Sequence, residues 1–204
     1  MNRRINQTQH QMMQPGFPMW QQPHVVPPVA GVPVSSVPYI FRLYGPVYGP
    51  ETYAEWIDVL DTMTEYDEAH IYINTPGGDL FGAISLIHAM RRCKGVVRTI
   101  ADGEVASAGT LILLNGDEIE VGPYAMFMAH DASSVESGKL SETRKSSKAI
   151  SELLSQLYID TYEGFLTEDE ILHIIDGIDL YLSAEELGKR VAAKRASDAK
   201  EQTD

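Results

Sequence analysis

Strand-like and helix-like segments alternate along this chain from Tyr39 onward, and no other feature constrains its fold so strongly. Short runs rich in β-branched and aromatic residues predict strands at 39–44, 70–74, 96–101, 118–121 and 125–128. Apolar residues recur at helical spacing between these runs, in 51–63, 81–90 and through 111–114. The alternation predicts an α/β fold with a largely parallel sheet covered by helices on both faces.

The two ends of the chain differ in composition from its centre. Residues 1–37 are rich in Gln, Met and Pro without strand or helix periodicity, which predicts a disordered arm. Residues 194–204 are predicted to form a charged C-terminal tail. The segment between them, 38–193, is long enough to bury one core, so we expect a single folded domain.

Charge and cysteine content narrow the functional classes. The formal net charge is −13 with no large cluster of basic residues, which argues against nucleic-acid binding. No apolar run approaches the length of a transmembrane helix, and no apolar stretch after Arg3 and Arg4 indicates a signal peptide. The single cysteine, Cys93, excludes an intrachain disulfide and suits a reducing compartment. We therefore expect a cytoplasmic protein that does not bind membranes.

Ser107 lies among small residues directly after the predicted strand 96–101, in the segment GEVASAGT. A serine hydroxyl is a weak nucleophile that needs a base, an orienting acid and donors for the oxyanion. Small neighbours allow a substrate backbone to approach the hydroxyl, and glycines allow the sharp turn that exposes it. The pattern predicts a nucleophilic serine.

The other parts of a serine hydrolase site have candidates at neighbouring strand ends. His130 follows the strand 125–128, and the carboxyl ends of parallel strands meet where ligands bind. Taken alone, such a histidine more often caps a strand, but together with Ser107 we interpret it as the base. The backbone N–H groups of Gly77 and Ala108 are predicted to form an oxyanion hole. Either Asp176 or Asp179, after an apolar helix, could be the orienting acid.

Three segments occur in an order and spacing that resemble the ClpP family, the proteolytic subunits of the ATP-dependent Clp protease. They are IYINTPGG (71–78), GEVASAG (103–109) and MFMAH (126–130), and the resemblance covers roughly residues 39–188. Departures elsewhere favour a bacteriophage-type member. In the family the acid stands four residues before the serine of a Leu-Ser-Ala run, which selects Asp179 before Ser183, with Asp176 as its rival.

The resemblance implies a ClpP/crotonase-like spiral of stacked ββα units and a serine endopeptidase that cleaves unfolded polypeptides. It implies that Ser107, His130 and Asp179 are catalytic, and that Gly78, Ser133 and Ser134 contact substrate. The long helix near residues 141–163 would be the handle through which two seven-membered rings stack. An AAA+ unfoldase partner would supply the ATP chemistry, and this chain itself is expected to need no cofactor or metal.

Two alternatives remain open at this stage. The chain could be a catalytically silent or modulatory ring subunit that assembles with another ClpP, although the Ser, His and Asp candidates argue against it. It could be a crotonase-type acyl-CoA enzyme, which shares the spiral and a glycine-based oxyanion hole but does not need the serine and histidine. A Ser/Lys peptidase is disfavoured because no lysine is well placed.

Overall fold

A computed structural model of the chain describes residues 37–131 and 140–201. Within these ranges the strands are β1 (Tyr39–Tyr44), β2 (Glu68–Thr75), β3 (Val96–Ala106), β4 (Glu118–Val121), β5 (Met126–Ala129) and β6 (Leu180–Ser183). The helices are α1 (Ala54–Thr62), α2 (Leu80–Arg92), α3 (Ala108–Leu114), α4 (Leu140–Tyr162), α5 (Glu168–Ile175) and α6 (Ala184–Glu201). The predicted arm, except its last residue, lies outside the described residues.

The predicted α/β alternation is confirmed, with differences that have local causes. The helix predicted over 51–63 begins with a 3-10 turn at Pro50–Tyr53, with Pro50 at its first position. β3 extends beyond the predicted end at residue 101, because its second half pairs with both β2 and β5. α6 continues through the predicted boundary at 193, so the tail begins inside a helix.

The sheet has the strand order β1-β2-β3-β5-β6, and β4 also pairs with β3. All of these pairs are parallel except β5 with β6, which is antiparallel. β3 is therefore the central strand: its first half pairs with β4 and its second half with β5. The carboxyl ends of β3 and β5 consequently meet, as expected for a site built from parallel strands.

At β1 and β2, within the described part of the chain, only one face of the sheet is deeply buried, which differs from the expected covering of both faces. On that face Phe41, Leu43, Ile71 and Ile73 are each at most 3% exposed, and α3 packs directly on β2 and β3. Side chains of β1 and β2 alternate between this buried face and a partly exposed one. The helices of this one chain therefore form their core on a single side of β1 and β2.

Paired charges occupy the less buried face around Arg98. Its guanidinium contacts the carboxylates of Glu68 at 3.1 Å and Glu118 at 2.7 Å, and it also pairs with Glu120. A hydrogen bond with His70, assisted by Arg98, lowers the pKa of the Glu68 carboxyl. Because these charges bind one another, this face stays polar without a covering helix.

The last three helices contact different parts of the fold. α4 packs against α3 and α5, and α6 packs against β4, β5 and β6. Thr167 and Glu170 form the predicted capping box at the start of α5. Glu170 also receives a two-pronged ion pair from Arg190 of α6, at 2.8 and 2.9 Å. No helix in the two described ranges is both long enough and apolar enough to span a membrane.

The Glu170–Arg190 pair predicts a specific pH dependence of stability. Hydrogen bonds from Arg190, aided by the cap, lower the pKa of Glu170 from 4.5 to about 2 in the folded protein. A carboxyl whose pKa falls on folding contributes stability above pH 4.5 and loses it as the pH falls towards 2. Arg190→Met should therefore lower the free energy of unfolding by about 1 kcal/mol at neutral pH. The deficit should shrink below pH 4.5, as measured by urea unfolding at several pH values.

Lys189→Met is the matched control, because Lys189 pairs with Glu185 on the exposed side of the same helix, where both side chains are more than 60% exposed. It should change stability by less than about 0.5 kcal/mol. A deficit in Arg190→Met that stays constant as the pH falls towards 2 would show that lost packing, and not the ion pair, explains the effect.

Candidate active site

Ser107 occupies the turn between β3 and α3, with Ala106 ending the strand and Ala108 beginning the helix. Its φ of 52° and ψ of −122° make it the only non-glycine residue with positive φ in the described ranges. Such a backbone costs about 1–3 kcal/mol for a residue with a Cβ, and it recurs where a serine nucleophile is presented at a strand-to-helix turn. The side chain remains partly exposed. The turn therefore has the geometry of a nucleophile site.

Three hydrogen bonds hold the strained turn in place. The Ser107 backbone N–H donates to the Met128 carbonyl of β5 at 2.8 Å. The Ser107 carbonyl accepts from the Thr110 backbone N–H at 2.9 Å and from the Thr110 hydroxyl at 2.6 Å. The first bond ties the serine to the strand that leads to His130, and the other two tie it to α3.

Glycines let the loop after β2 approach this turn closely. A Cβ added to Gly77 would lie 2.5 Å from the Ser107 Cβ and 3.1 Å from its Oγ, and Gly77 itself has a φ of +93°. A Cβ added to Gly109 would lie 2.4 Å from the methyl group of Thr75. The distances of 2.5 and 2.4 Å are too short for two carbon atoms that are not bonded to each other. The small residues noted in the sequence therefore allow two backbone segments to come together at the serine.

The two glycines of the loop have different hydrogen-bonding states. The Gly77 N–H donates to the Thr75 hydroxyl at 3.1 Å, so in this conformation it is already used in a hydrogen bond within the chain and is not available to an oxyanion. Gly78 forms a parallel bridge with Val47, in which the bonds use the Gly77 carbonyl and the Asp79 N–H. This bridge leaves the N–H of Gly78 without a partner among the described residues.

His130 follows β5 directly and is partly buried. The β3–β5 register pairs Ala106 with Met128, so His130 stands close to the level of Ser107 across two neighbouring strand ends. Its carbonyl accepts a hydrogen bond from the Tyr158 hydroxyl of α4 at 3.2 Å. A hydrogen bond from α4 thus holds the backbone of His130 in place.

Asp179 reaches the same edge through β6. The antiparallel register pairs Ala129 with Leu180, and its continuation places Asp179 opposite His130. Asp176 instead ends α5, where its N–H bonds to the carbonyl of Leu172. Both aspartates are exposed. Within residues 37–131 and 140–201 no hydrogen bond joins the side chains of Ser107, His130 and Asp179.

Some site residues were not foreseen, and some foreseen ones cannot be placed. Ser133 and Ser134 lie outside the described residues. Thr110 and Tyr162 received no role in the sequence interpretation, although their hydroxyls lie 2.7 Å apart beside the serine turn. One sequence signal could have indicated Tyr162: it is a tyrosine on an otherwise apolar stripe of a helix. A buried phenol needs a hydrogen-bond partner, so such a tyrosine indicates a polar contact in the core.

Comparison with protein families matches residues 48–187 to the family described as Clp protease, a range that contains Ser107, His130 and Asp179. Similar curated proteins are named ATP-dependent Clp protease proteolytic subunit. That of Deinococcus radiodurans is 28% identical over 132 residues, covering 63% of this chain and 64% of its own length. That of Bacteroides thetaiotaomicron is 25% identical over 129 residues, covering 62% and 59%.

A third such subunit, from Streptococcus gordonii, is 28% identical over 134 residues, covering 62% of this chain and 67% of its own length. The chain thus spans about three fifths to two thirds of the length of these three relatives. All three are proteolytic subunits, and none carries the name of an acyl-CoA enzyme.

Proposed function

Because the chain belongs to the Clp protease family, we propose that it is a serine endopeptidase that cleaves unfolded polypeptides to short peptides. The observation that carries the proposal is the strained Ser107 turn, tied through the Met128 carbonyl to the strand that ends at His130. The family match supports peptidase chemistry, and this turn is the place in the fold where a serine nucleophile fits.

In the proposed reaction the Ser107 hydroxyl attacks the scissile carbonyl while His130 takes its proton. The tetrahedral intermediate then collapses, the C–N bond breaks, and His130 returns the proton to the leaving amine. Water, deprotonated by His130, attacks the acyl-enzyme ester and releases the second product. Asp179 orients the imidazole and stabilises its positive charge, a role for which the β5–β6 register favours it over Asp176.

The oxyanion of the intermediate needs two backbone donors. Ala108, the first residue of α3, supplies one N–H directly after the nucleophile. The sequence interpretation assigned the other to Gly77, whose N–H must first leave the Thr75 hydroxyl. In the conformation described here Gly78 is the better candidate, because its bridge to Val47 leaves its N–H available. If the N–H of Gly78 binds the oxyanion, then the contact with substrate that was expected of Gly78 is a catalytic one.

We further propose that the protein acts as a homo-oligomer of stacked rings. Large apolar side chains on α4 and α5 remain about half exposed, including Leu153 at 42%, Ile159 at 45% and Leu172 at 57%. Apolar surface of this kind on a long helix is typical of a protein–protein interface. Stacked rings would enclose a chamber, and a AAA+ unfoldase would feed substrates into it. We also propose a cytoplasmic location, which fits the presence of a single cysteine, Cys93.

Labelling with a fluorophosphonate probe tests the proposal. The full chain should gain one probe per subunit, located on Ser107 by peptide mapping. His130→Ala should slow labelling by about 10³-fold or more, because the hydroxyl loses its base. Asp179→Asn should slow it by a similar factor, because the imidazole loses the partner that orients it. Asp176→Asn is the matched control and should stay within about twofold of the natural protein.

Each outcome has a distinct meaning. If Asp176→Asn slows labelling and Asp179→Asn does not, the assignment of the acid is wrong although the peptidase proposal stands. If the folded, oligomeric natural chain takes up no probe, the peptidase proposal fails. A silent or modulatory ring subunit is then the better description. The lack of hydrogen bonds among the side chains of Ser107, His130 and Asp179 in the structure would agree with it.

A further inference from the structure

Two tyrosine hydroxyls of α4 reach towards the candidate active site. Tyr158 and Tyr162 stand four residues apart on one face of the helix, and their rings stack with centroids 5.7 Å apart. Both are buried, at 4% and 1% exposure. A phenylalanine would fill the same space with no polar atom to satisfy, so each hydroxyl is tolerated because it makes a hydrogen bond.

The Tyr162 hydroxyl acts on the nucleophile turn through one intermediate residue. It lies 2.7 Å from the Thr110 hydroxyl, which donates its only proton to the Ser107 carbonyl at 2.6 Å. Tyr162 must therefore be the donor to Thr110. Burial raises the pKa of the Tyr162 phenol, so it keeps its proton at neutral pH. The result is a directed chain from α4 to the strained serine, in which each bond strengthens the next.

The Tyr158 hydroxyl acts on the base. It donates to the backbone carbonyl of His130 at 3.2 Å, directly beyond the end of β5. One helix thus holds the main chain of both the nucleophile and the base. The helix also packs against α3 and α5, and α3 packs on β2 and β3, so buried contacts set the position of α4 relative to the sheet.

We propose that Tyr158 and Tyr162 are positioning residues, whose hydroxyls hold the backbones of His130 and Ser107 at the separation that catalysis needs. This inference rests on the proposed serine peptidase function. It adds that the place of α4 determines whether the two groups can react, although no α4 side chain described here touches the reacting atoms.

Tyr162→Phe and Thr110→Val test the inference in the full chain. Each removes one hydroxyl from the chain of bonds while keeping side-chain shape. We expect the rate constant for fluorophosphonate labelling of Ser107 to fall by about 10- to 100-fold, because a displaced nucleophile loses the reactive geometry. For peptide hydrolysis, kcat should fall while KM stays nearly constant. Tyr158→Phe should lower the rate less, because its bond is longer. Thr110→Ser keeps the hydroxyl and should restore most of the rate.

Thr99→Val is the matched control. Thr99 is as fully buried as Thr110, and its hydroxyl also donates to a main-chain carbonyl of α3, that of Leu113 at the far end of the helix. It should lower stability as Thr110→Val does but leave labelling within about twofold. Equal slowing in Thr99→Val and Thr110→Val, or no slowing in Thr110→Val and Tyr162→Phe, would overturn the inference.

Hydrogen–deuterium exchange separates failure of this inference from failure of the proposed function. In Tyr162→Phe the amides of 108–111 should exchange faster than in the natural chain, whereas those of β2 should not change. If the natural chain takes up no probe, the peptidase proposal fails, and faster exchange at 108–111 still supports the link from α4 to the turn. Unchanged exchange at 108–111 contradicts the link whatever the activity.

Discussion

Replacing Ser107 by glycine should abolish peptide hydrolysis and at the same time make the protein more stable. Loss of a serine nucleophile lowers kcat by as much as about 10⁶-fold. The φ of 52° and ψ of −122° at this position suit glycine and strain any residue with a Cβ. Relief of that strain should raise the free energy of unfolding by about 1 kcal/mol, after allowance for the extra freedom of glycine in the unfolded chain. Hydrolysis of a fluorogenic peptide and urea unfolding measure the two effects.

Ser107→Ala is the control for this prediction. It removes the same hydroxyl but keeps the Cβ, so it should be equally inactive without the gain in stability. If Ser107→Gly is no more stable than Ser107→Ala, the turn is not strained in solution. If either variant keeps more than about one thousandth of the natural kcat, the nucleophile lies elsewhere.

Gly77→Ala should cause the second largest loss, because it acts on the same serine from the opposite side. The added methyl group would lie 2.5 Å from the Ser107 Cβ and 2.9 Å from the Ala106 carbonyl, so the loop or the turn must move. A shift of the nucleophile or of the oxyanion donors by about 1 Å lowers the rate by about 10²-fold or more. The positive φ of Gly77 adds a backbone cost of about 1–2 kcal/mol. Peptide hydrolysis and thermal unfolding check the two parts.

Gly45→Ala separates crowding from backbone strain. Gly45 has a comparable φ of +84°, but a Cβ added there meets nothing within 4 Å. Gly45→Ala should therefore lose similar stability while keeping nearly natural activity. Equal loss of activity in both variants would mean that unfolding, and not displacement of Ser107, accounts for the effect of Gly77→Ala.

The parts of the site that were predictable from sequence are those that depend on parallel strands. Ser107 and His130 each follow a segment with a clear strand pattern, and the ends of neighbouring parallel strands meet at one edge. The small residues around Ser107 were also visible in the sequence, and they predicted an accessible serine at a sharp turn. The sequence pattern predicted that the small residues leave room for a substrate backbone; in the structure Gly77 and Gly109 also leave room for neighbouring segments of the chain itself.

The remaining features depend on long-range contacts that no local pattern shows. β6 has only four residues, too few for a period. The family resemblance pointed to Asp179, but its place opposite His130 follows only from the pairing of β6 with β5. A Gly-Gly pair does not reveal that the Thr75 hydroxyl takes the N–H of Gly77. Covering of both sheet faces was expected because parallel sheets are usually buried, but at β1 and β2 one face stays partly exposed, and the ion pairs of Arg98 stabilise it.

The antiparallel pairing of β5 with β6 has a consequence for how the protein folds. All of α4 and α5 lie between these two strands in the chain, so their pairing closes a long loop. Contacts of large sequence separation form late, because the entropy of loop closure must be overcome before they contribute energy. The nucleophile turn, built from β3, α3 and the adjacent β5, is expected to form first. Asp179, opposite His130, is expected to join afterwards, so in the proposed peptidase the set of Ser107, His130 and Asp179 would be complete only after the central part of the sheet has formed.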